Sequence, residues 1–134
     1  MRMARPGRPT DLFEYGMSIF VRARFDAHDQ RHAHFEELAL ALQEQVKDEP
    51  GTLTYRWFSA GAGSYLVIEE YTDDEAVAVH QERAGELLER AAQFADLVYA
   101  EIYGTVGPEI RAWAQARPQV TVFLDFPAHG GTDI

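Results

Sequence analysis

The strongest constraint on the fold of this chain is the order in which two kinds of hydrophobic periodicity follow one another. Over residues 17–25, apolar side chains occupy every second position, which is typical of a strand with two different faces. A helical spacing follows as far as Asp48-Glu49-Pro50-Gly51. Two strand-like runs, at residues 52–59 and 65–72, come next around a glycine-rich turn, and after a second helical pattern a further strand-like run covers residues 97–106.

This order, β-α-β-β-α-β, predicts a ferredoxin-like α+β domain, with two helices on one face of a four-stranded antiparallel sheet. Thr72 and Glu75 are spaced as a capping box for the second helix, and Gly85 is expected to divide that helix into two pieces. After the fourth strand, the segment from Gly107 to Phe126 predicts a C-terminal helix and a fifth strand, because Pro108 suits a first helical turn and apolar residues then alternate.

We expect one domain over residues 14–127, with a flexible N-terminal tail at 1–13 and a flexible C-terminal tail at 128–134. A chain of 134 residues suits a single hydrophobic core. No apolar run approaches the roughly 20 residues that cross a bilayer, and no apolar stretch follows the arginine-rich first residues. The sequence therefore predicts a soluble protein located in the cytoplasm.

Charge and cysteine content exclude several classes of function. The chain has 22 acidic and 12 basic residues and a net charge of -10, and such a field repels phosphate backbones and anionic lipid. We therefore expect no nucleic acid and no membrane as partner. The lack of cysteine excludes disulfides, thiolate metal sites and cysteine nucleophiles. Since the sequence also lacks a glycine-rich phosphate loop and an H-E-x-x-H helix, it predicts no cofactor and no metal.

The aromatic residues of the predicted strands bear on oligomeric state, because a two-layer fold leaves one face of its sheet without helices. Aliphatic residues alone would satisfy the core, so exposed aromatic rings on this scale would form an unusually large apolar patch. We expect a homodimer packed sheet to sheet, or a ligand cavity, to cover them. The residues concerned are Phe20, Tyr55 or Phe58, Trp57, Tyr65, Tyr71, Tyr99 and Tyr103.

Two segments resemble a known family. Residues 48–55, Asp-Glu-Pro-Gly-Thr-Leu-Thr-Tyr, are similar to the E-P-G-x-L-x-Y start of the second strand in antibiotic biosynthesis monooxygenase (ABM) domains. Residues 70–76 followed by Val79-His80 are similar to the end of the third strand, the helix cap and the helix histidine of that family. The resemblance covers residues 17–106 and implies a dimeric α+β barrel, in which two sheets face each other and each subunit holds a pocket between sheet and helices.

The resemblance also implies an activity, the oxidation of a phenolic or quinol-type small aromatic substrate by molecular oxygen without metal or flavin. A base that removes a phenolic proton creates an anion able to reduce oxygen, and an apolar pocket excludes water from the intermediate. His80 is the candidate base, because it lies on the apolar stripe of its helix and imidazole titrates near neutral pH. We expect Tyr71, Trp57 and Phe20 to line the pocket and Arg22 to orient the substrate.

Each candidate has a structural alternative. A histidine on an apolar helix face is more often a hydrogen-bonded core residue, strand aromatics usually pack sheets, and strand charges such as Arg22 and Glu69 usually form salt bridges. The rival for the whole chain is a non-catalytic dimer that binds an apolar small molecule or serves as a scaffold. A roomy cavity containing His80 favours the enzyme, whereas His80 bonded to backbone in a packed core favours the rival.

Two other sites are expected to be absent. His28, His32 and His34 lie close together in sequence, but we expect no metal there, since no carboxylate is fixed opposite them and a helix start is usually solvated. Haem-degrading relatives of the superfamily have an asparagine on the first strand and a tryptophan where Tyr71 stands. Neither is present, so the sequence disfavours haem degradation.

Overall fold

The computed structural model describes residues 18–127. It confirms the α+β class and the ferredoxin-like order of elements, including the additional C-terminal helix and strand. Both predicted tails, residues 1–13 and 128–134, lie outside the described residues. The elements are β1 (Ile19–Ala27), α1 (His32–Gln45), a 3₁₀ turn (Val46–Asp48), β2 (Thr52–Gly61), β3 (Ser64–Tyr71), α2 (Asp74–Ala91), β4 (Ala95–Tyr103), α3 (Pro108–Gln115) and β5 (Val120–Phe123).

The five strands of the described part form one sheet in the order β2-β3-β1-β4-β5. β1 lies in the centre and pairs antiparallel with β3 and with β4, so that Val21 lies opposite both Glu69 and Ile102. β5 runs parallel to β4, and α3 makes the crossover that a parallel pair requires. The C-terminal segment therefore extends the edge of the sheet and adds a helix beside it.

Side chains alternate between the two faces of the sheet along each strand, and the helices cover one of these faces. On this face β1 contributes Ile19 and Ala23, which pack with Leu42 of α1 and Ala84 of α2 in the main core. A second cluster surrounds Phe35 at the other end of α1. Burial of these side chains supplies the main favourable term for the fold, since each large aliphatic or aromatic group removed from water contributes about 1.5–3 kcal/mol.

Helix α2 differs from its sequence prediction in two details. Asp73 is its N-cap, and the Asp73 carboxylate accepts the backbone N–H of Ala76 at 2.9 Å, so the expected Thr72–Glu75 capping box does not provide the cap. The helix also runs without interruption through Gly85. A glycine costs a helix only about 1 kcal/mol relative to alanine, and burial of the adjacent Ala84 against the core outweighs this.

The other face of the sheet, called here the open face, carries the even-numbered residues of β1 and their neighbours in register. The predicted strand aromatics divide between the two faces: Tyr55, Trp57, Tyr65 and Tyr71 lie under the helices, and Phe20, Phe58, Tyr99 and Tyr103 lie on the open face. Phe20, Phe58 and Phe123 are 43%, 41% and 48% exposed. The open face is thus partly apolar, and the dimer that would cover it stays a prediction.

None of the helices in residues 18–127 combines the length and the apolar character that a membrane span needs. The predicted cytoplasmic location stays a prediction.

The packing of α1 gives a first testable expectation. Leu42 is 1% exposed and Leu40, on the same helix, is 64% exposed. We expect Leu42→Ala to lower the free energy of unfolding by about 2–5 kcal/mol, because it leaves a cavity in the core. Leu40→Ala should change it by about 0.5 kcal/mol or less. Urea denaturation measures both, and equal losses in the two variants would contradict the assigned face of α1.

Candidate active site

A cavity of about 570 Å³ lies between the helix-covered face of the sheet and helices α2 and α3. Its floor includes Ala23 of β1 and Ala100 of β4, which lie directly opposite each other in the sheet. Two small side chains at paired positions leave space that larger residues would fill. Most of the lining is apolar, and Trp57 and Trp113 stand at its sides. This size and composition are typical of small-molecule sites.

The structure brings three of the five predicted site residues to this cavity. His80, Tyr71 and Trp57 all line it. Phe20 and Arg22 lie on the open face instead, because even-numbered residues of β1 point away from the helices. Arg22 forms a cross-strand salt bridge with Glu101, with 2.8 Å between guanidinium nitrogen and carboxylate oxygen. The period of two was visible in the sequence, but it did not identify which face would meet the helices.

His80 forms a buried pair with Glu49. The distance from His80 Nδ1 to Glu49 Oε1 is 2.9 Å, and both side chains are only 2% exposed. Thr52 donates its hydroxyl to the same Glu49 oxygen at 2.8 Å. Because Glu49 Oε1 already serves as an acceptor, we assign the shared hydrogen to His80 Nδ1. Glu49 therefore fixes the ring orientation and leaves His80 Nε2 as the nitrogen available for proton transfer.

The Pro50-Gly51 turn explains why these two residues meet. Gly51 lies against α2, and a Cβ atom at this position would come within 2.6 Å of the Ala76 Cβ. Only glycine permits this approach, which brings the start of β2 against the first turns of α2. Glu49, at the end of the 3₁₀ turn, is then held beneath His80, one helical turn beyond Ala76. Arg83, one turn beyond His80, places its Nε 3.6 Å from Glu49 Oε2.

A second polar pair, Tyr71 with Glu69, lies beside the first. The Tyr71 hydroxyl donates to Glu69 Oε1, and both residues line the cavity. Burial raises the pKa of Glu69, while the hydrogen bond from Tyr71 and the charge of His80 oppose that shift. Burial, followed by the negative charge of Glu69, raises the pKa of Tyr71. Tyr71 therefore keeps its proton and acts as a donor.

Sequence analysis placed Glu69 only among strand charges that form salt bridges, and it missed both Glu49 and the contact of Glu69 with the cavity. A signal for Glu69 was present: it interrupts the otherwise aromatic and aliphatic series Tyr65, Val67 and Tyr71 on one strand face. A carboxylate on an inward face is rare and usually has a function or a partner. Glu49 belongs to the E-P-G-x-L-x-Y resemblance, but the motif gave it no role, because its partner His80 lies 31 residues further along the chain.

Aromatic rings surround the imidazole. The ring centroid of Tyr55 lies 5.3 Å from that of His80, and the Tyr71 centroid lies 5.5 Å from it. Burial raises the pKa of Tyr55, so this hydroxyl also stays protonated. Trp57 Nε1 is buried, and no hydrogen-bond partner for it is present among residues 18–127. The base candidate therefore sits in an aromatic, water-poor wall of the cavity.

Metal ligation has no support in the geometry of the described residues. Within residues 18–127, no group of three or more histidine or acidic side chains is placed to hold a metal ion. His28 Nε2 contacts Asp96 at 3.0 Å, and His34 stacks on Phe94. The imidazole of His32 packs against Gly63.

Removal of the Glu69 charge should change the pH dependence of stability. Burial raises the pKa of Glu69 above its ordinary value of 4.5, so below that value folded and unfolded chains both hold the proton. As the pH rises, the unfolded chain releases its proton first and stability falls. We expect Glu69→Gln to be more stable than wild type at pH 7, with a gain that shrinks as the pH approaches 4.

Urea denaturation at several pH values measures this effect. Glu70→Gln is the matched control, because Glu70 is the next residue of the same strand and lies on the open face, where it accepts from Thr54 Oγ1 at 3.1 Å. We expect no comparable gain for it. Parallel pH profiles for wild type and Glu69→Gln would contradict the burial of an ionisable group at this position.

Comparison with known proteins supports the same fold. MupZ from Pseudomonas fluorescens has a similar structure, with a TM-score of 0.71 at 19% identity over 88% of this chain and 98% of that one. Rv0793 from Mycobacterium tuberculosis gives 0.60 at 17% identity over 67% and 96%. A structure described as an antibiotic biosynthesis monooxygenase gives 0.55 at 22% identity over 63% and 92%. The comparison with curated proteins gave no match.

These structural likenesses establish the fold, and the sequence match establishes the family. The family profile described as "Antibiotic biosynthesis monooxygenase" matches residues 18–92, which is more than half of the chain. The matched range includes the Pro50-Gly51 turn, Glu49, Tyr71 and His80. This chain therefore belongs to the antibiotic biosynthesis monooxygenase family.

Proposed function

We propose that this protein is a cofactor-independent monooxygenase that oxidises a phenolic or quinol-type aromatic with molecular oxygen. The observation that carries the proposal is the buried His80–Glu49 pair in the wall of an apolar cavity of about 570 Å³. Family membership supports the reaction class, and the cavity has room for a small polycyclic or substituted aromatic ring system.

In this proposal His80 is the general base. Glu49 accepts the hydrogen of His80 Nδ1, which leaves the lone pair of Nε2 to accept the phenolic proton of the substrate. The positive charge that then forms on the imidazole is stabilised by the adjacent Glu49 carboxylate, in the way an acidic residue supports a catalytic histidine elsewhere. Burial of both groups makes this electrostatic support stronger than it would be in water.

The substrate supplies all the electrons. The phenolate transfers electrons to O₂, one oxygen atom bonds to a ring carbon that carried hydrogen, and the other oxygen leaves as water with two hydrogens from the substrate. The overall change is phenol plus O₂ to quinone plus water, which balances without another reductant. Tyr71 and Trp57 hold the ring, and the apolar wall limits quenching of the intermediate by water.

The alternative is a non-catalytic dimer that binds an apolar small molecule. One feature of the site speaks for the enzyme: His80 contacts a carboxylate in the wall of a roomy cavity, and no backbone group within hydrogen-bond range of it is described in residues 18–127. With Nδ1 bonded to Glu49, Nε2 stays available, as a general base requires.

Oxygen uptake with a panel of reduced quinols and polyphenols tests the proposal. We expect His80→Gln to lower the rate by about 10²–10⁴-fold, because glutamine can still donate to Glu49 but cannot act as a base. His34→Gln makes the same change at a histidine that stacks on Phe94 outside the cavity, and it should keep the wild-type rate. Circular dichroism verifies that both variants are folded. Uptake that survives in His80→Gln contradicts the base assignment, and no turnover across the panel favours the binding protein.

We also propose that two copies pack through their open faces. Phe20 and Phe58 are each more than two-fifths exposed there, and Ile68 lies between them on β3. Arg22 forms its salt bridge with Glu101 on the same face, so we assign Phe20 and Arg22 to the open face and its proposed dimer contact. A sheet face of this apolar content is expected to be covered in solution.

Sedimentation velocity at micromolar concentration tests the dimer. We expect a mass twice that of the 15.1 kDa chain. Phe20→Asp should shift the protein to the monomer, because it replaces an exposed apolar ring of the open face with a charge opposite Glu70. Leu40→Asp adds the same charge on an exposed position of α1 and should leave the dimer intact. A monomeric wild type would refute the proposal.

A further inference from the structure

The charged side chains in the cavity wall share one sign. Apart from His80, the ionisable side chains other than tyrosine that line the cavity within residues 18–127 are all carboxylates: Glu69, Asp74 and Glu109. Asp74 Oδ2 accepts the backbone N–H of Gly107 at 2.8 Å, and Glu109 is exposed. Glu69 is therefore the carboxylate on the sheet floor, where a bound ligand is shielded from water.

Glu69 has one oxygen available to a ligand. Tyr71 donates to Oε1, and no hydrogen bond to Oε2 is made by any residue in the range 18–127. The neighbours of Glu69 across the sheet are Val21 on β1 and Tyr55 on β2, so no cation lies beside it in the sheet. His80 shares the cavity wall, but its Nδ1 hydrogen is already bonded to Glu49.

We infer that Glu69 sets the charge selectivity of the cavity, which binds uncharged or cationic ligands with a hydroxyl or ammonium donor for Glu69 Oε2 and rejects carboxylates. The inference deepens the proposed function, since it rests on the cavity being the substrate site. It does not depend on whether the protein oxidises the ligand that it binds. A phenolic hydroxyl satisfies it, because the hydroxyl can donate to Glu69 before His80 removes its proton.

The physical reason is the cost of placing like charges together away from water. A ligand carboxylate beside Glu69 would lose its hydration and meet a second anion within a few ångströms. Uptake of a proton by Glu69, whose pKa burial raises, would relieve the repulsion, but above that pKa the uptake costs binding free energy. A hydroxyl or ammonium group instead gains a charge-assisted hydrogen bond.

The two tryptophans of the chain make binding measurable, because Trp57 and Trp113 both line the cavity. Three biphenyls serve as probes: 4-(hydroxymethyl)biphenyl, 4-(aminomethyl)biphenyl and biphenyl-4-carboxylate, which share one ring system and differ in charge at neutral pH. Tryptophan fluorescence is titrated with each probe. For wild type we expect the alcohol and the amine to bind at least about tenfold more tightly than the carboxylate.

The Glu69→Gln variant tests whether the Glu69 carboxylate causes the preference for the alcohol and the amine over the carboxylate probe. Glutamine keeps an acceptor for Tyr71 and removes the charge, so the preference over the carboxylate probe should fall to about threefold or less. Glu70→Gln removes a charge from the open face and should keep the wild-type preference. Equal affinity of wild type for all three probes, no saturable binding of any probe, or an unchanged preference in Glu69→Gln would each overturn the inference.

Failure here and failure of the proposed oxidation are distinguishable. Charge selectivity that depends on Glu69, without oxygen uptake, supports the inference and refutes the monooxygenase. Oxygen uptake that depends on His80, with carboxylate probes bound as tightly as alcohols, supports the monooxygenase and refutes the inference.

Discussion

The buried contact between His80 and Glu49 is the interaction on which the site depends. It joins helix α2 to the turn before β2, and it forms only because Gly51 lets the two segments approach. Two ionisable groups that are each 2% exposed are costly to bury, and removal of one partner from such a pair typically destabilises a protein by about 3–5 kcal/mol. Thr52 and Arg83 reduce that cost by contacting the carboxylate. The same contact that ties the helix to the sheet thus positions the base.

Much of the fold was readable from periodicity, because alternation and helical spacing are local properties of the sequence. The element order predicted from periodicity was confirmed. The family resemblance, which rested on the motifs at residues 48–55 and 70–80, was confirmed by the family match. Which face of the sheet a residue occupies is not a local property, because it depends on which residues meet α1 and α2. Phe20 and Arg22 lie on the open face for this reason. The role of Glu49 was missed for the same reason, because its partner His80 is 31 residues away. The contact of Glu69 with the cavity was missed because it depends on the helices that pack over the sheet.

Each face of the sheet has one of the two proposed roles: the helix-covered face binds the ligand, and the open face forms the dimer. Odd-numbered residues of β3 such as Glu69 and Tyr71 face the cavity, whereas Ile68 and Glu70 face the opposite side. The central strand β1 makes the same division. A change of charge or size on one face therefore alters the cavity or the open face but not both, which is why adjacent residues of one strand provide matched variants.

Part of the cavity wall lies outside the residues that the family profile matches. The family match ends at residue 92, yet Pro108, Ile110 and Trp113 of α3 line the cavity. The backbone N–H of Gly107, at the start of α3, donates to Asp74 at the start of α2, so the two helices begin at a common point. His80 and the part of the floor on β1 and β3 thus lie in the matched region, while β4 completes the floor and α3 determines the shape of the remaining wall. Shape complementarity with the apolar part of a ligand then depends on α3, and the choice of polar group depends on Glu69 and His80.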